Sequence, residues 1–246
     1  MDYESDLRLL KRSFNGGGEG QFYLSALEHL AGRQHLDWLD IGIGRDGSAL
    51  EPFIAACRGR GQTLEITGVD PDAEPCQYKE DGVGWKLFRG TFQDWCSDGQ
   101  YDVINIDQAI YYLGDPQATI SRALNLLRSG GLFIATCWSR DDALHRLRMR
   151  MFPDTESTVV AEDLVALVRN LPGFTYVETA SFENSVRLGA WREDCSFIRP
   201  AMRVIARRPL DEDTDPDPEV LLAILDDFSD SEPRINIALC AIRSEV

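Results

Sequence analysis

The run Trp38-Leu39-Asp40-Ile41 is followed by Gly42, Gly44 and Gly47, three glycines within six residues. A helical pattern then begins near Ser48, through Ala49, Leu50, Phe53 and Ile54. This predicts a strand, a tight turn and a helix. Glycines in such a turn let the backbone approach a ligand that a Cβ would block. The G-x-G-x-x-G spacing fits dinucleotides and S-adenosylmethionine (SAM) alike. Asp40, two residues before the first glycine, favours SAM: a phosphate gains nothing from a carboxylate there, whereas the methionine part of SAM carries an ammonium. The competing reading is an ordinary strand-to-helix turn.

Further along, residues 64–69 read as a second strand ending in Asp70-Pro71. An acid at that tip, roughly twenty residues past the glycine turn, is where a ribose diol is held, because a carboxylate accepts from both hydroxyls. A helix N-cap is the alternative for Asp70. After a third strand, residues 85–89, the loop Gly90-Thr91-Phe92-Gln93 would lie near the adenine, with Thr91, Phe92 or Gln93 as the contact. A fourth strand, residues 101–106, runs into Asp107-Gln108-Ala109-Ile110-Tyr111-Tyr112. In a parallel sheet, ligands sit at the carboxyl ends of the strands. Asp107 and Gln108 therefore belong to the expected site.

The elements that must position these residues alternate strand and helix. They predict an α/β fold, a Rossmann-like doubly wound parallel sheet. Residues 116–127 form an amphipathic helix that Ser129-Gly130-Gly131 would end, a glycine suiting the C-cap. Residues 132–136 form the fifth strand. Ahead of the core, residues 7–14 and a stretch through Leu30 read as two helices around a glycine break. That break is either a mobile lid or a plain helix–helix loop. Beyond the core, helices are expected at 141–151, 161–171 and 220–228. Residues 176–185 look like a strand paired with 202–206, and 234–242 a final strand carrying Asn236. Residues 211–219 read as a solvated acidic loop. The expected organisation is one domain, with a lid at 1–32, a SAM-binding core at 33–138 and a substrate-binding, sheet-completing part at 139–246.

Composition narrows the partners. The net charge is −16, from 25 Lys and Arg against 41 Asp and Glu. Nucleic acids and anionic membranes both need a basic surface, so neither is expected as a partner. A cationic small substrate would be steered inward, although a merely solvated acidic surface has the same composition. The six cysteines lack C-x-x-C spacing and only three histidines occur, so neither zinc nor a disulfide framework is expected. The acidic N-terminus lacks a signal-peptide core, and no apolar run approaches the ~20 residues of a membrane span. A cytoplasmic protein, monomeric or weakly dimeric, is the expectation.

Together these residues resemble the class I SAM-dependent methyltransferases, and within them the histamine N-methyltransferase-like group. The glycine loop and Asp70-Pro71 match generic SAM-binding motifs. Gln108-Ala109-Ile110-Tyr111-Tyr112 is similar to the group's Gln-x-x-Tyr-Tyr stretch. Asn15 to Glu19 resembles its N-terminal Asn-x-x-x-Glu, and Asn236 its C-terminal asparagine. The resemblance implies SAM as cofactor, no metal, and a substrate trio of Glu19, Gln108 and Asn236 holding a small basic molecule. Tyr111 and Tyr112 would wall the same pocket. Where the group has tryptophans after the fifth strand, this chain has Asp141 and His145, which favours a more polar cation: an amine, amino acid, guanidine or imidazole compound. Methyl transfer needs a neutral nucleophile in line with the methyl, so positioning supplies most of the catalysis. Glu19 and Gln108 are the expected catalytic pair. Glu19 would accept a proton or merely orient the ammonium, and Gln108 would orient the nucleophile. O- or C-methyl transfer, or SAM binding without catalysis, are the alternatives.

Overall fold

The computed structural model describes residues 3–15, 19–45, 47–74, 81–153, 159–206 and 216–244. The chain opens with α1 (Tyr3–Lys11), the short β1 (Phe14–Asn15) and α2 (Glu19–Ala26). The core follows as β2 (His35–Ile41), α3 (Glu51–Gly59), β3 (Thr63–Asp70), β4 (Val83–Arg89) and β5 (Tyr101–Asp107). It continues with α4 (Pro116–Leu126), β6 (Leu127–Trp138), α5 (Ala143–Met151) and α6 (Ala161–Asn170). The last third contains β7 (Phe174–Arg187), α7 (Leu188–Glu193), α8 (Ile198–Ala206), α9 (Pro218–Leu225) and β8 (Ser231–Arg243).

The eight strands follow the order β1-β7-β8-β6-β5-β2-β3-β4. Strand pairs β2–β3, β3–β4, β2–β5 and β5–β6 are parallel, and β1–β7 is antiparallel. This is the mixed, helix-flanked sheet of the expected Rossmann-like α/β class. From β2 the chain moves outward to β3 and β4, then returns to place β5 on the other side of β2. That reversal is a topological switch point, where a crevice opens at the strands' carboxyl ends. Asp40 lies opposite Asn105 there.

The chain divides into two compact units. One comprises Gly18–Cys137, Ala161–Ala180 and Ile237–Val246; the other comprises Met1–Gly17, Trp138–Val160 and Ser181–Asn236. In the first, β5 is buried along nearly its whole length, as expected for a parallel strand covered on both faces. Leu39, Ile41, Ile66, Val103, Ile104 and Phe133 form its centre, and α3 packs Phe53, Ile54 and Cys57 inward. In the second unit α1 packs on α8. Asp6 accepts from Arg203 Nε and Nη2 at 2.5 and 2.6 Å, and Trp191 Nε1 donates to Ser13 Oγ at 2.9 Å.

Two sequence expectations are corrected. Residues 202–206 do not form a strand; they end α8, whose Ile198, Ala201, Met202 and Ile205 are buried at helical spacing. A short apolar run fits either period, and the spacing across the whole of α8 decides it. The partners of β7 are instead β8 and β1. Ser129-Gly130-Gly131 does not cap α4 either. Leu127 is already extended, at φ −85° and ψ 134°, and the glycines lie inside β6, next to a register shift between Tyr101 and Val103. Glycines within strands mark such irregularities as readily as they mark helix ends. Among the described residues, no helix is long and apolar enough to cross a membrane. Part of the acidic stretch, residues 211–215, lies outside the described residues.

Candidate active site

The crevice is built by the ends of β2 and β5. Asp40, only 3% exposed, accepts from Asn105 Nδ2 at 2.8 Å and from Trp38 Nε1 at 3.2 Å. Burial pushes its pKa from 3.8 up to about 7. The two hydrogen bonds pull it back, and the nearby charges of Asp107 and Asp70 push it up. Three carboxylates thus surround one turn, and a cation among them would relieve their mutual repulsion.

The turn needs its glycines. Gly42 has φ +83° and donates to Val69 O at 2.8 Å. A Cβ built there would stand 2.3 Å from the Ala109 Cβ, so the absent side chain lets the β5 loop close against the β2 turn. Gly44, at φ +74°, donates its amide to Asp70 Oδ2 at 3.1 Å. Asp70 Oδ1 accepts from Asp72 N at 2.8 Å, which fixes the carboxylate at the tip of β3. No helix begins within Pro71–Glu74, so Asp70 does not cap one there. Pro71 is exposed, and its carbonyl accepts from Arg89 Nε at 3.3 Å.

At the end of β5, Asp107 Oδ1 accepts from Tyr23 Oη at 3.4 Å and from the Thr136 hydroxyl. Tyr23 comes from α2 and packs edge-on against Phe53, with ring centroids 5.2 Å apart. Gln108 follows at φ +52°; among the described residues it is the one non-glycine with positive φ. Such backbone costs on the order of 1–3 kcal/mol and clusters at functional sites. Its amide donates to Thr136 O at 3.2 Å, and its Oε1 accepts from Tyr111 Oη at 3.0 Å. Tyr111 is half-buried while Tyr112 is 46% exposed, their rings meeting edge to face. A hollow of about 40 Å³ lies between Tyr23, Asp40, Gly42, Leu50, Phe53, Asn105 and Asp107. It has room for an ammonium-sized group, not for a whole nucleoside.

A larger groove, about 450 Å³, runs past Asp37, Glu65, Lys86, Trp95 and Arg128. Its charges neutralise one another: Lys86 pairs with Glu65 at 2.8 Å, and Arg128 with Asp37 and Asp102 at 2.6 and 2.7 Å. The smaller hollow, lined by Asp40 and Asp107 beside the glycine turn, is the better candidate.

The adenine-side expectations fare unevenly. Phe92 is 2% exposed, stacked on Trp95 and lying 4.3 Å under the Arg122 guanidinium. It is a core residue, not a platform open to a base. The Thr91 hydroxyl donates to Asp94 Oδ2 at 2.6 Å, closing a local turn. Glu19 is the first residue of α2, and its side chain lies outside the described part.

The second unit holds the remaining predicted residues. Asn236 is buried on β8 and His145 is buried in α5, whereas Asp141 is exposed just ahead of that helix. Sequence reasoning passed over its neighbour Asp142, which is fully buried. Asp142 Oδ1 accepts from Leu144 N and His145 N, capping α5, while Oδ2 accepts from Arg234 Nε and Ile235 N. The cap signature, an aspartate at the foot of a predicted helix, was the available signal. Sequence reasoning also missed Asn105, Tyr23 and Thr136, which reach the site only through strand register and helix docking.

A family model described as "Methyltransferase domain" matches residues 16–179. No curated protein sequence matches the chain. Among solved structures, a Bacillus halodurans protein assigned as a methyltransferase aligns with a TM-score of 0.54 at 13% identity, covering 90% of this chain and 99% of its own. The YcgJ protein of Bacillus subtilis aligns at 0.52 and 16% identity, covering 92% and 100%. A cyclopropane-fatty-acyl-phospholipid synthase-like protein from Lactobacillus casei aligns at 0.53 and 11%, covering 97% and 99%. At such identities these likenesses speak for the fold.

Proposed function

The chain belongs to the methyltransferase-domain family, and from that premise we propose that it transfers a methyl group from SAM to a nitrogen of a small cationic metabolite. It is a SAM-dependent methyltransferase; the acceptor class is the new part. The observation that carries this reading is the convergence of Asp40, Asp70 and Asp107 on one glycine turn, beside a strained Gln108.

The donor chemistry of that turn fits SAM. The small hollow at Asp40, Asn105 and Asp107 suits an ammonium, and the carboxylates would be bound to a ligand carrying positive charge. Asp70, at the tip of β3, would accept from the two ribose hydroxyls. When bound, SAM supplies an electrophilic methyl on a positively charged sulfur. The residues of the chain then bind, orient and exclude water. Asp40 and Asp107 hold the amino-acid end. Gln108, fixed by Tyr111 and by Thr136 O, orients the acceptor nitrogen so that its lone pair faces the methyl, which is the larger part of such catalysis. Glu19 takes the proton an amine must lose, or orients the ammonium beforehand. The similarity of Gln108-Ala109-Ile110-Tyr111-Tyr112 to the histamine N-methyltransferase-like group supports nitrogen as the acceptor atom.

Incubation with methyl-labelled SAM and a panel of amines, amino acids, guanidines and imidazoles tests this. Label should appear on nitrogen in at least one of them. Transfer only to phenols or carbon acids added to the panel would assign O- or C-methylation. Tight SAM binding with no transfer to any compound would sink the catalytic reading.

A further inference from the structure

The middle of β5 reads Val103-Ile104-Asn105-Ile106, one amide in an apolar run. A strand covered on both faces is normally apolar throughout, and an amide buried there must find partners. Asn105 is 4% exposed and stands in register with Asp40 on the neighbouring β2. Its Nδ2 donates to Asp40 Oδ2 at 2.8 Å, and the Trp38 indole donates to the same oxygen at 3.2 Å. Both donors thus fall on one oxygen of Asp40. Among the described residues no donor meets the other, Asp40 Oδ1, and none meets Asn105 Oδ1.

Asp40 and Asn105 line the same small hollow. Asp107, two residues beyond Asn105 and so on the same face of β5, lines it as well, and Ile43, Leu50 and Phe53 supply apolar wall. All of these residues lie within one compact unit. An ionised carboxylate has only acceptors, so beside ionised Asp40 the amide must present its Nδ2 and turn its Oδ1 away. A protonated primary amine is the converse, with three donors and no acceptor. Asp40, Asn105 and Asp107 offer it one acceptor residue for each N–H group, and apolar surroundings strengthen such charge-assisted bonds. Holding Asp40 uses only the Nδ2 of Asn105. The Oδ1 that comes with it is what a cation in the hollow can use.

We propose that Asn105 is a further cofactor-binding residue: its Oδ1 accepts from the ammonium of SAM, beside Asp40 Oδ1, and makes the site selective for a primary amine at that end of the cofactor. This rests on the reading that Asp40 holds the amino-acid end of SAM.

The test compares demethylated SAM with its deaminated analogue, in which hydrogen replaces the amino group, by calorimetry. The wild type should bind the amine on the order of 100-fold more tightly, the range of two hydrogen bonds to a charged group. Asp40→Asn keeps an acceptor for the Asn105 amide but removes the charge, and should lower that ratio. Asn105→Leu should lower it about 10-fold, while the deaminated analogue binds as before. Asn105→Val, apolar and at home in a buried strand, gives the same reading where the leucine variant does not fold. A double variant separates direct contact from support of Asp40. In the Asp40→Asn background, Asn105→Leu should still lower the ratio severalfold. No further loss there would make Asn105 a prop for Asp40 alone and overturn the proposal. An Asn105 variant that weakens both ligands by the same factor, the mark of a structural role, overturns it too. If the wild type binds both ligands equally, the ammonium is not held in the hollow, and the Asp40 reading falls together with the proposal. If Asp40→Asn lowers the ratio and the Asn105 variants do not, the Asp40 reading stands and the proposal falls.

Discussion

Asp40 carries an unusual charge state for an aspartate. Its folded-state pKa of about 7 lies above the 3.8 of a free aspartate, chiefly because it is buried. The folded protein therefore holds a proton that the unfolded chain releases between about pH 4 and pH 7. Stability of the free protein should fall as pH rises through that window and level off above it. Asp40→Asn removes this dependence, so its melting temperature relative to wild type should climb between pH 5 and pH 8. A cation beside Asp40 favours the ionised form, so SAM should bind more tightly as pH approaches 7 and should displace a proton on binding. Calorimetry at pH 6 in buffers of different ionisation enthalpy counts that proton; finding none, together with a flat stability profile, would remove Asp40 from the ligand's surroundings. Asp40 and Asp70 were legible because their spacing from the glycines is fixed by a local strand–turn–helix unit. Asn105, Tyr23 and Thr136 were not, since their contacts arise between segments far apart in sequence. Phe92 was misread because an aromatic in a loop looks the same in sequence whether it faces a base or, as here, the Arg122 side of the core.

Among the elements, the β2 turn and the loop after β5 meet closely where Gly42 faces Ala109. Gly42→Ala puts a methyl 2.3 Å from the Ala109 Cβ and places an alanine at φ +83°. The two penalties should together destabilise by about 2–4 kcal/mol. Ala109→Gly in the same chain relieves the clash but not the backbone strain. The double variant should recover roughly half of the loss, seen by denaturant unfolding as a coupling of about 1–2 kcal/mol. Simple additivity would mean that the two loops do not bear on one another. The parallel core was readable because each strand ends in a turn signal and each helix keeps a helical period. The periphery was not: α8 offered a short apolar run that fits either period, and the α4–β6 junction offers glycines that serve a bulged strand as well as a cap. In both places the tertiary environment, not local preference, makes the choice.

For the whole molecule, the sixteen surplus negative charges act at long range and are open to screening by salt. The Debye length shrinks from about 30 Å at 0.01 M to about 10 Å at 0.1 M. Two effects follow in opposite directions. Screening relieves self-repulsion among surplus carboxylates, so the free protein should melt a few degrees higher in about 0.2 M than in about 0.02 M sodium chloride. Screening also weakens steering, so kcat/KM for an acceptor of net charge +1 should fall severalfold over the same range. A zwitterionic acceptor of zero net charge should lose far less, because the long-range field exerts little net pull on it. The pair of salt profiles thus separates steering from other effects of salt. Equal losses for both acceptors would mean that salt acts on the protein itself and not on steering. No loss for the cation would mean that the acidic composition serves solvation alone, the reading that charge counts in the sequence left open.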